Sequence, residues 1–512
     1  MFAKVYGCAV VGIGGKLIEI EADVANGLPS VTIVGLPDNA VKESRDRVKA
    51  AIKNSGFVFP QKRITINLAP AELKKEGSAF DLPIALGILA CSGYISSQTM
   101  KKHCFVGELS LDGDIRPAKG VLPMALTIKE NSGHSLCVPA DNIQEAAVVD
   151  QIDTYPLENL QQTVDFINQV EDIPPFKVDI EEIFRMSSVY DVDFSDVKGQ
   201  QHVKRAIEVA IGGGHNILMI GPPGAGKTML ARRIPSIMPD MTLEESLEVT
   251  KVHSIAGILP QGKGLIATRP FRAPHHTISD VALIGGTQLA RPGEVSLSHY
   301  GVLFLDELPE FRRNTLEVLR QPLEDGVVTV SRANASHTYP SRFTLVAAMN
   351  PCPCGYFTHP VKACRCTPYQ IQNYISKISG PLLDRIDIHV DVPALNYQEI
   401  SDKSQSETST VIKERVNNVR RIQQERFKGK KIFCNAHMHA KEIKEYCQLD
   451  NQTQSLIKVA INSLGLSARA YDKILKIART IADLEQSENI TAAHVSEAIQ
   501  YRSMDRNFWR GK

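Results

Sequence analysis

The spacing of apolar and polar positions changes along the 512 residues of the chain. In the first 170 residues, short β-type runs such as VTIVGL, RITINLA and LCVPA alternate with runs of helical spacing, which predicts an α+β or α/β domain. From Lys198 to about Pro393, the apolar strands NILMI, GVLFLDE and FTLVAAMN alternate with helical patterns, as in a parallel α/β sheet. Beyond them, ILKIARTIADL repeats apolar residues with a 3.6-residue period, and the chain is predicted to be helical to its end.

Two joints separate these regions. The segment EDIPPFKVDIEEIFRMSSVYDVDFSDV carries two consecutive prolines and is typical of an interdomain connection, and the polar run QEISDKSQSETST marks the second joint. A chain of this length is also too long for one ordinary core. We therefore predict a multidomain α/β protein with a first domain at 1–170, a linker at 171–197, an α/β core at 198–395 and a helical domain at 396–512.

Composition limits the location and the partners. The formal net charge of +1 excludes a uniformly basic surface for nucleic acid, but it does not exclude a local basic channel. The glycine-interrupted start MFAKVYGCAVVGIGG suits a strand better than a signal peptide, and no uncharged run approaches the roughly 18 residues of a membrane span. Ten cysteines without such a signal are typical of reduced thiols. We therefore expect a soluble, cytoplasmic protein without a membrane partner.

The strongest motif is NILMIGPPGAGKTML, in which an apolar strand meets a glycine-rich loop and a helix follows. In such a loop the backbone N–H groups and the helix N-terminus surround phosphate oxygens, a lysine carries positive charge to the β and γ phosphates, and a hydroxyl binds Mg²⁺. An ordinary glycine-rich turn is the alternative, and the flanking strand and helix argue against it. The predicted phosphate-binding residues are Gly221, Pro222, Pro223, Gly224, Ala225, Gly226, Lys227 and Thr228.

Two further apolar strands end in polar residues. GVLFLDE ends in Asp306, which suits the Mg²⁺ shell, and Glu307, which suits the polarisation of an attacking water. FTLVAAMNP ends in Asn350, whose amide is placed to orient the same water. A core strand that happens to end in acids is the alternative for GVLFLDE taken alone, and the phosphate loop makes this alternative the weaker one.

These motifs, followed by SGPLLDRIDIHV and GLSARAYDKILKIART, resemble those of the AAA+ ATPases in content and order, over roughly residues 198–500. The resemblance implies that Asn350 is sensor 1, Arg385 an arginine finger and Arg469 a sensor 2 arginine, with ATP and Mg²⁺ as cofactors. An arginine finger normally reaches the nucleotide of a neighbouring subunit, so the resemblance also implies a ring, usually a homo-hexamer. Without the resemblance, both arginines would be interpreted as surface or ion-pair residues.

The first domain resembles the proteolytic domain of Lon, from RITINLAPAELKKEGSAFDLPIALGILA through VGELSLDGDIRPAKGVLPMALTIKENSG to LCVPA. Aligned on the helix DLPIALGIL, Ala79 stands at the nucleophilic serine of Lon and Leu122 at its lysine. Neither side chain can attack a substrate or accept a proton. Ser78 and Lys119 lie nearby and would form a dyad only if both partners shifted together. We therefore expect a catalytically inactive scaffold for assembly or for binding a partner.

A Lon-like domain in front of the ATPase, together with RPFRAPHHTISDVALIGG and CPCGY, resembles the ComM/YifB family over essentially the whole chain. The resemblance implies a hexameric, ATP-dependent DNA translocase or helicase that promotes branch migration of recombination intermediates during natural transformation. Its expected partners are single- or double-stranded DNA and a recombinase. Two alternatives stay open: a chelatase- or chaperone-type ATPase that remodels a protein or inserts a metal, and an ATP-dependent protease.

Two regions carry candidates for DNA contact. VTVSRANASHTYPSRF predicts a β-hairpin before the Asn350 strand. Related AAA+ helicases have a pore hairpin at this place, which makes Arg332 and His337 candidates. The region HSIAGILPQGKGLIATRPFRAPHH, where this clade inserts a second pore element, carries Lys263, Arg269, Arg272, His275 and His276. At each single position, a merely solvated basic side chain is an equal alternative.

The run PCPCGYFTHPVKACRC places four cysteines in a CxC-x9-CxC pattern: Cys352, Cys354, Cys364 and Cys366. Four thiolates so close together suit tetrahedral Zn²⁺, although CxxC is the commoner spacing. A cytosolic context argues against disulfide pairs. His359 is an alternative ligand for one of the four positions. Structural zinc is the prediction, and free thiols in a loop are the main alternative.

Overall fold

The computed structural model describes residues 1–512 except 76, 132, 188–189, 261, 287–289, 333–334, 358, 360, 395–405, 465–466 and 503–512. The chain forms two compact units. The first comprises residues 1–187 and 243–267, and the second comprises residues 188–242 and 268–512. The mixed α/β multidomain fold predicted from the sequence is confirmed.

Residues 1–187 form these elements in chain order: β1 (Phe2–Val11), β2 (Gly14–Ala25), β3 (Ser30–Val34), α1 (Asn39–Asn54), β4 (Arg63–Ala69), α2 (Asp81–Cys91), α3 (Ser97–Met100), β5 (His103–Phe105), β6 (Glu108–Leu109), β7 (Ile115–Arg116), α4 (Val121–Asn131), β8 (Ser135–Pro139), α5 (Ile143–Ala147), β9 (Thr154–Leu157), α6 (Leu160–Ile167) and α7 (Ile180–Ser187). The elements that follow are α8 (Gln201–Gly213), β10 (Ile217–Ile220), α9 (Lys227–Arg233), α10 (Leu243–Ala256), β11 (Phe271–Arg272), α11 (Asp280–Ile284), α12 (Glu294–Leu297), β12 (Val302–Leu305), α13 (Arg313–Glu317), α14 (Arg320–Asp325), β13 (Val327–Arg332), β14 (Ala335–Pro340), β15 (Thr344–Met349), α15 (Pro368–Ser376), α16 (Gly380–Leu383), β16 (Ile388–Asp391), α17 (Ser409–Arg426), α18 (Ala440–Tyr446), α19 (Asn451–Leu464), α20 (Ala468–Leu484) and α21 (Ala492–Gln500).

The first unit is built on a seven-stranded mixed sheet in the order β3-β4-β2-β1-β5-β8-β9. β1 and β2 form an antiparallel hairpin in which Val5 lies opposite Ile20, whereas β1, β5, β8 and β9 run parallel to one another. Helix α2 packs on β1 and β2, and ten of its eleven residues are buried. A helix enclosed in this way needs no polar face, which explains why DLPIALGIL is apolar on all sides.

The second unit is built on a five-stranded parallel sheet in the order β11-β12-β15-β10-β16. Every residue of β10, β12 and β15 is buried, so each strand is a continuous apolar run. Because the strands are parallel, their carboxyl ends share one edge, where ligands bind in open α/β sheets. The predicted hairpin is present as β13 and β14, a separate two-stranded sheet.

The described residues between 409 and 500 are mainly helical, as predicted for this region. Helix α20 buries the periodic residues Ile474, Ile477, Ala478 and Ile481, and it packs against α8, α17 and α21. Among the helices of the described residues, none is both long enough and apolar enough to cross a bilayer.

Candidate functional site

Three neighbouring strands end in the residues that the sequence predicts for nucleotide chemistry. β10 leads into the loop 221–228 and α9, β12 leads to Asp306, and β15 leads to Asn350. β15 pairs with β10 on one side and with β12 on the other, so the three carboxyl ends are adjacent. The sheet topology thus brings together groups that are distant in sequence.

Lys227 lies at the start of α9, directly after Gly226, whose φ of +88° is of the kind that favours glycine. Its ammonium nitrogen donates to the carbonyl oxygens of Gly221 (2.7 Å) and Pro222 (2.9 Å) and to Oδ1 of Asn350 (3.1 Å). Burial lowers the pKa of Lys227 to about 8, against the opposing effect of Asp306 and Glu307. The amine is therefore held in the loop and linked directly to the predicted sensor residue.

Thr228 and Asp306 form the second link of the site. The Thr228 hydroxyl donates to Oδ2 of Asp306 at 2.6 Å, and the backbone N–H of Glu307 donates to Oδ1 of Asp306 at 2.9 Å. Hard oxygen ligands of this kind, a hydroxyl and a carboxylate, are those that Mg²⁺ takes beside a nucleotide. The two residues therefore fit the predicted magnesium ion.

Glu307 has a left-handed backbone, with a φ of +53°, and its side chain is 56% exposed. Its Oε2 lies 3.4 Å from Nδ1 of His276, and the His276 ring lies 4.1 Å from that of His275. His276 follows β11, the strand beside β12, so a fourth strand brings a side chain to the same edge. From the sequence, His276 was predicted as a candidate for DNA contact, and its contact with Glu307 was not predicted. The order of the parallel strands is the signal that could have revealed it.

Arg385 and Arg469 line one cavity of about 370 Å³ within the second unit, together with Lys473. Arg385 donates to the carbonyl oxygen of Pro381 at 2.7 Å and pairs with Glu324. Residues 221–228, all of them described, are not part of the lining of this cavity. The structure therefore places the two predicted arginines on one cavity, and the lining of that cavity does not include the phosphate loop.

The four predicted cysteines form one cluster. The Sγ atom of Cys352 lies 3.4 Å from that of Cys354 and 3.7 Å from that of Cys364, and the sulfurs of Cys354 and Cys364 are 3.6 Å apart. With Cys366 included, the four sulfur atoms all lie within 4.8 Å of one another. Tetrahedral zinc with Zn–S bonds of about 2.3 Å needs sulfurs roughly 3.8 Å apart, so the cluster fits the ion.

Backbone groups favour the thiolate form of one cysteine of this cluster, Cys354. Hydrogen bonds from the backbone of Arg365 and Tyr356 lower the pKa of Cys354 to about 6. The imidazole Nδ1 of His359 accepts from the N–H groups of Val361 and Lys362, so that nitrogen caps a local turn. Among the described residues, the ligand atoms that lie within 4.8 Å of one another here are the four cysteine sulfurs, without His359.

The cluster lies beside the phosphate loop. A Cβ atom at Gly355 would lie 2.5 Å from Cδ of Pro223, so the turn that contains the first two cysteines is in close contact with the loop. Asn350 precedes Cys352 by two residues. A metal at this place would hold the backbone that carries the predicted sensor.

The candidates for DNA contact lie in different environments. Arg269 is buried, and its guanidinium donates to the carbonyl oxygens of Pro239, Asp240 and Tyr300. Arg272 forms a two-pronged ion pair with Glu294. Both guanidinium groups therefore have partners within the second unit.

The remaining DNA candidates are Lys263, Arg332 and His337. Lys263 is exposed on a loop. His337 is half-buried, lies opposite Val330 in the hairpin and has its ring 6.4 Å from that of Tyr339. The side chain of Arg332 lies outside the described residues.

The Lon-like positions carry apolar side chains. Ala79 and Leu122 belong to the same hydrophobic cluster of the first unit. The Ser78 hydroxyl donates to the carboxylate of Glu108, and the Lys119 side chain lies beside Gly257. Ser78 and Lys119 thus each have a different neighbour, and the pair is not joined by these contacts.

The phosphate loop, the acidic strand end and the asparagine-ended strand lie on a parallel sheet, and a helical region follows. This combination defines a magnesium-chelatase-like AAA+ ATPase module. The family described as magnesium chelatase, subunit ChlI, matches residues 193–400, and its C-terminal part matches residues 406–502. Subunit ChlI of Mg-chelatase also matches residues 20–142.

Comparison with curated proteins shows the family. Competence protein ComM of Haemophilus influenzae is 45% identical over 508 residues, which are 98% of either chain. YifB of Escherichia coli K12, described as uncharacterized, is 42% identical over 501 residues, 97% of this chain and 96% of its own. The chain belongs to the ComM/YifB family.

The resemblance to chelatases themselves is narrower. A magnesium-chelatase 67 kDa subunit of Chlorobaculum parvum is 27% identical over 167 residues, 31% of this chain and 23% of its own. Membership of this AAA+ group implies an ATPase that uses ATP and Mg²⁺.

Proposed function

We propose that the protein is a hexameric, ATP-dependent DNA translocase that drives branch migration of recombination intermediates during natural transformation. The observation that carries the motor part is the pair of hydrogen bonds at adjacent strand ends, Lys227 to Asn350 and Thr228 to Asp306. The DNA part is supported by 45% identity, over nearly the whole chain, to a protein named for competence. A branch-migrating motor would serve the exchange of incoming strands for resident ones during recombination.

The nucleotide chemistry is assigned to five side chains. Lys227 exchanges its loop and Asn350 contacts for the β and γ phosphates, and Thr228 and Asp306 would hold Mg²⁺, which neutralises phosphate charge when bound. Glu307 orients the attacking water and accepts its proton. Asn350, released by Lys227, orients the same water from the neighbouring strand end.

Arg385 and Arg469 are assigned to the nucleotide of a neighbouring subunit. Their common cavity contains none of residues 221–228, which supports action across an interface. A ring of identical subunits joined head to tail gives every site such a neighbour. Charge placed on the γ phosphate in this way accelerates phosphoryl transfer.

As DNA contacts we retain two separate candidates: Lys263 in the first unit, and the β13–β14 hairpin with Arg332 and His337 in the second. Arg269 and Arg272 are left out, because their donors are already bound within the chain. One face of the hairpin exposes two hydroxyl pairs, Thr329 with Thr338 (3.2 Å) and Ser331 with Ser336 (2.9 Å). Hydroxyls contact phosphate oxygens without specifying a sequence, which suits a translocase.

We also propose that the four-cysteine cluster holds structural zinc and that the first unit has no proteolytic activity. The sulfur distances support the former. The apolar surroundings of Ala79 and Leu122 support the latter.

The test uses a synthetic branched DNA with labelled strands, incubated with the protein, ATP and Mg²⁺. We expect ATP-dependent strand exchange, which disappears in a Lys227→Ala variant. ATP hydrolysis that no DNA stimulates, without strand exchange, would contradict the translocase and favour a chelatase- or chaperone-type ATPase acting on a protein. Casein degradation, abolished by Ser78→Ala, would identify a protease instead.

A further inference from the structure

Residues 243–267 belong to the first unit although they are inserted into the sequence of the second. The chain crosses from the second unit to the first after Thr242 and returns after Ala267. The crossing lies nine residues beyond the end of α9, the helix that begins with Lys227. The nucleotide site is therefore connected to this segment by a short stretch of backbone.

Hydrogen bonds within the segment hold it together. After helix α10 the chain returns to it at Ile266. The Ser246 hydroxyl donates to the carbonyl oxygen of Ile266 at 2.5 Å, and the N–H of Ile266 donates to the Thr250 hydroxyl at 2.9 Å. Leu265 is buried. The segment can consequently act as one body.

A buried carboxylate holds this body to the first unit. Glu145, on α5, is 5% exposed, and Ser254, on α10, is 3% exposed. The Ser254 hydroxyl donates to Oε1 of Glu145, which also accepts the backbone N–H of Leu122 at 2.9 Å. The other oxygen, Oε2, accepts from the amide of Asn142 at 3.1 Å. A buried carboxylate is costly unless it is hydrogen-bonded, so these donors fix the geometry.

Packing supports the same contact. Leu247 of α10 packs against the hydrophobic cluster that contains Leu122. Gly264 lies so close to the carbonyl oxygen of Gln144 that a Cβ atom would not fit there. The segment therefore rests on the first turn of α4 and on α5, at the place where the resemblance to Lon puts the catalytic lysine.

We infer that α10 couples ATP turnover to the first unit. The Lon-like region around Glu145 and Leu122, here called the socket, is the surface that holds α10. The socket is thus occupied by α10, a helix whose sequence lies between two parts of the ATPase module. The inference rests on the proposed ATPase. It gives the first unit a mechanical role: when α9 moves with the nucleotide, α10 carries the movement to α4 and α5.

The test is hydrogen exchange with mass spectrometry on the full chain, with and without a slowly hydrolysed ATP analogue and Mg²⁺. Ser254→Ala removes the α10 side of the contact and leaves Glu145 bonded to Leu122 and Asn142. Glu244→Ala, an exposed change on the same helix, is the matched control. Nucleotide affinity is measured in parallel with a fluorescent analogue, with Lys227→Ala as the non-binding reference.

In the wild type and in Glu244→Ala, we expect the analogue to change amide exchange in residues 121–147. In Ser254→Ala, we expect this response to be lost, while exchange in 243–267 becomes about 5- to 30-fold faster because a buried hydrogen bond is missing. Its nucleotide affinity should stay within about twofold of the wild type. If the analogue still changed amide exchange at 121–147 in Ser254→Ala, the coupling would be overturned. The same holds if the wild type bound the analogue without any change at 121–147. Neither outcome would touch the proposed ATPase. A wild type that binds no nucleotide would overturn the proposed ATPase as well.

Discussion

Lys227 shows how a single residue joins two parts of the nucleotide site. Its amine donates to two carbonyl oxygens of its own loop and to Asn350 at the end of the neighbouring strand. A γ-phosphate oxygen would compete for the same protons. Binding of ATP would therefore release the Asn350 amide at the moment when a water must be oriented. The proposed sensor thus receives its signal through one hydrogen bond.

Glu307→Gln should separate ATP binding from hydrolysis. The amide keeps the size of the side chain but cannot accept a proton, so we expect kcat to fall by roughly 10²- to 10⁴-fold. The affinity for ATP should change little, since Lys227, Thr228 and Asp306 are untouched. Steady-state ATPase assays and binding of a fluorescent nucleotide check both statements. An ATPase rate close to that of the wild type would contradict the assignment of Glu307.

His276→Ala should lower kcat with little change in KM, because the imidazole contacts Glu307 at 3.4 Å and positions it. We expect a loss of about tenfold, smaller than that of Glu307→Gln, because the base itself remains. The matched control is His275→Ala, whose imidazole Nδ1 contacts Thr277 instead. Equal losses in the two variants would show that the loop, rather than the Glu307 contact, matters.

Single residues also show where sequence reasoning ends. The phosphate loop was predictable because its function demands a local spacing of glycine, lysine and threonine. The contacts of Arg269 and His276 were not predictable from the sequence, because they depend on which distant backbone or side chain the fold brings near. A basic residue on an apparent loop looks the same whether it is solvated, buried against carbonyl groups or paired with a carboxylate.

At the scale of elements, the connection between β15 and α15 combines two functions. It begins at Asn350, carries the four cysteines, and contacts Pro223 of the phosphate loop through Gly355. A connection of this length is uncommon in a compact domain and gains order from an internal constraint. The cysteine cluster supplies one, and a bound metal would make it rigid. The position of the proposed sensor would thus depend on whether the cluster holds a metal.

Cys354→Ser should therefore remove the metal and weaken nucleotide binding together. Losing one of four thiolates opens the tetrahedral set, so we expect bound zinc to fall from about one per chain to well below half. The Kd for a fluorescent nucleotide should rise about 3- to 30-fold as the turn at Gly355 loosens. Elemental analysis by mass spectrometry measures the first effect and titration the second. Cys91→Ala, a thiol of the other unit, is the control, and a zinc-free protein with normal nucleotide affinity would contradict the link.

A second element-scale prediction concerns the contact between α20 and Asp387, the residue that precedes β16. The Lys473 ammonium lies 2.8 Å from Oδ1 of Asp387, and His215 lies 3.5 Å from Oδ2. Burial alone would raise the pKa of Asp387, but Lys473 and His215 outweigh it and hold the pKa well below its usual range. The stabilisation by Asp387 is therefore fully present above the ordinary carboxyl pKa of about 3.8 and is lost as the pH falls below it.

Lys473→Met leaves this buried carboxylate with His215 and the backbone N–H of Asn216, which donates to Oδ2 at 3.2 Å, but without its lysine partner. We expect the second unit to lose about 3 kcal/mol at pH 7, in the range for breaking a buried pair. The loss should shrink as the pH falls, because Asp387 in the variant can bind a proton and become neutral. Urea unfolding at pH 7 and pH 5 measures both values. A loss that does not depend on pH would point to lost packing instead.

At the scale of the whole molecule, the sequence predicted both fold types but not the path of the chain between them. The parallel sheet, the Lon-like sheet and the terminal helices each follow from local patterns. The membership of residues 243–267 in the first unit does not, because it depends on buried contacts such as that of Glu145 with Ser254. A polar pair on two separate helices leaves no periodic signal in either.

Arg385 lines a cavity that does not include the phosphate loop, and this leads to a prediction about the proposed ring. A Lys227→Ala subunit cannot use its own nucleotide site but still offers Arg385 to a neighbour. An Arg385→Ala subunit keeps its own loop but cannot complete the site next to it. Either variant alone should hydrolyse ATP at a few per cent of the wild-type rate or less, given losses of 10³ or more for a missing arginine finger.

Mixing the two variants in equal amounts should restore activity. In a randomly assembled head-to-tail ring, about one quarter of the interfaces join an intact loop to an intact arginine, so about one quarter of the wild-type ATPase rate is expected. A double variant mixed with Lys227→Ala is the control, since no interface in that mixture gains an intact loop. The same experiment with Arg469→Ala asks whether the second arginine also acts across the interface. If ATPase activity recovered in the mixture with Arg385→Ala but not in the mixture with Arg469→Ala, Arg469 would act within its own subunit. If it recovered in neither mixture, a ring in which subunits complete one another's sites would be contradicted.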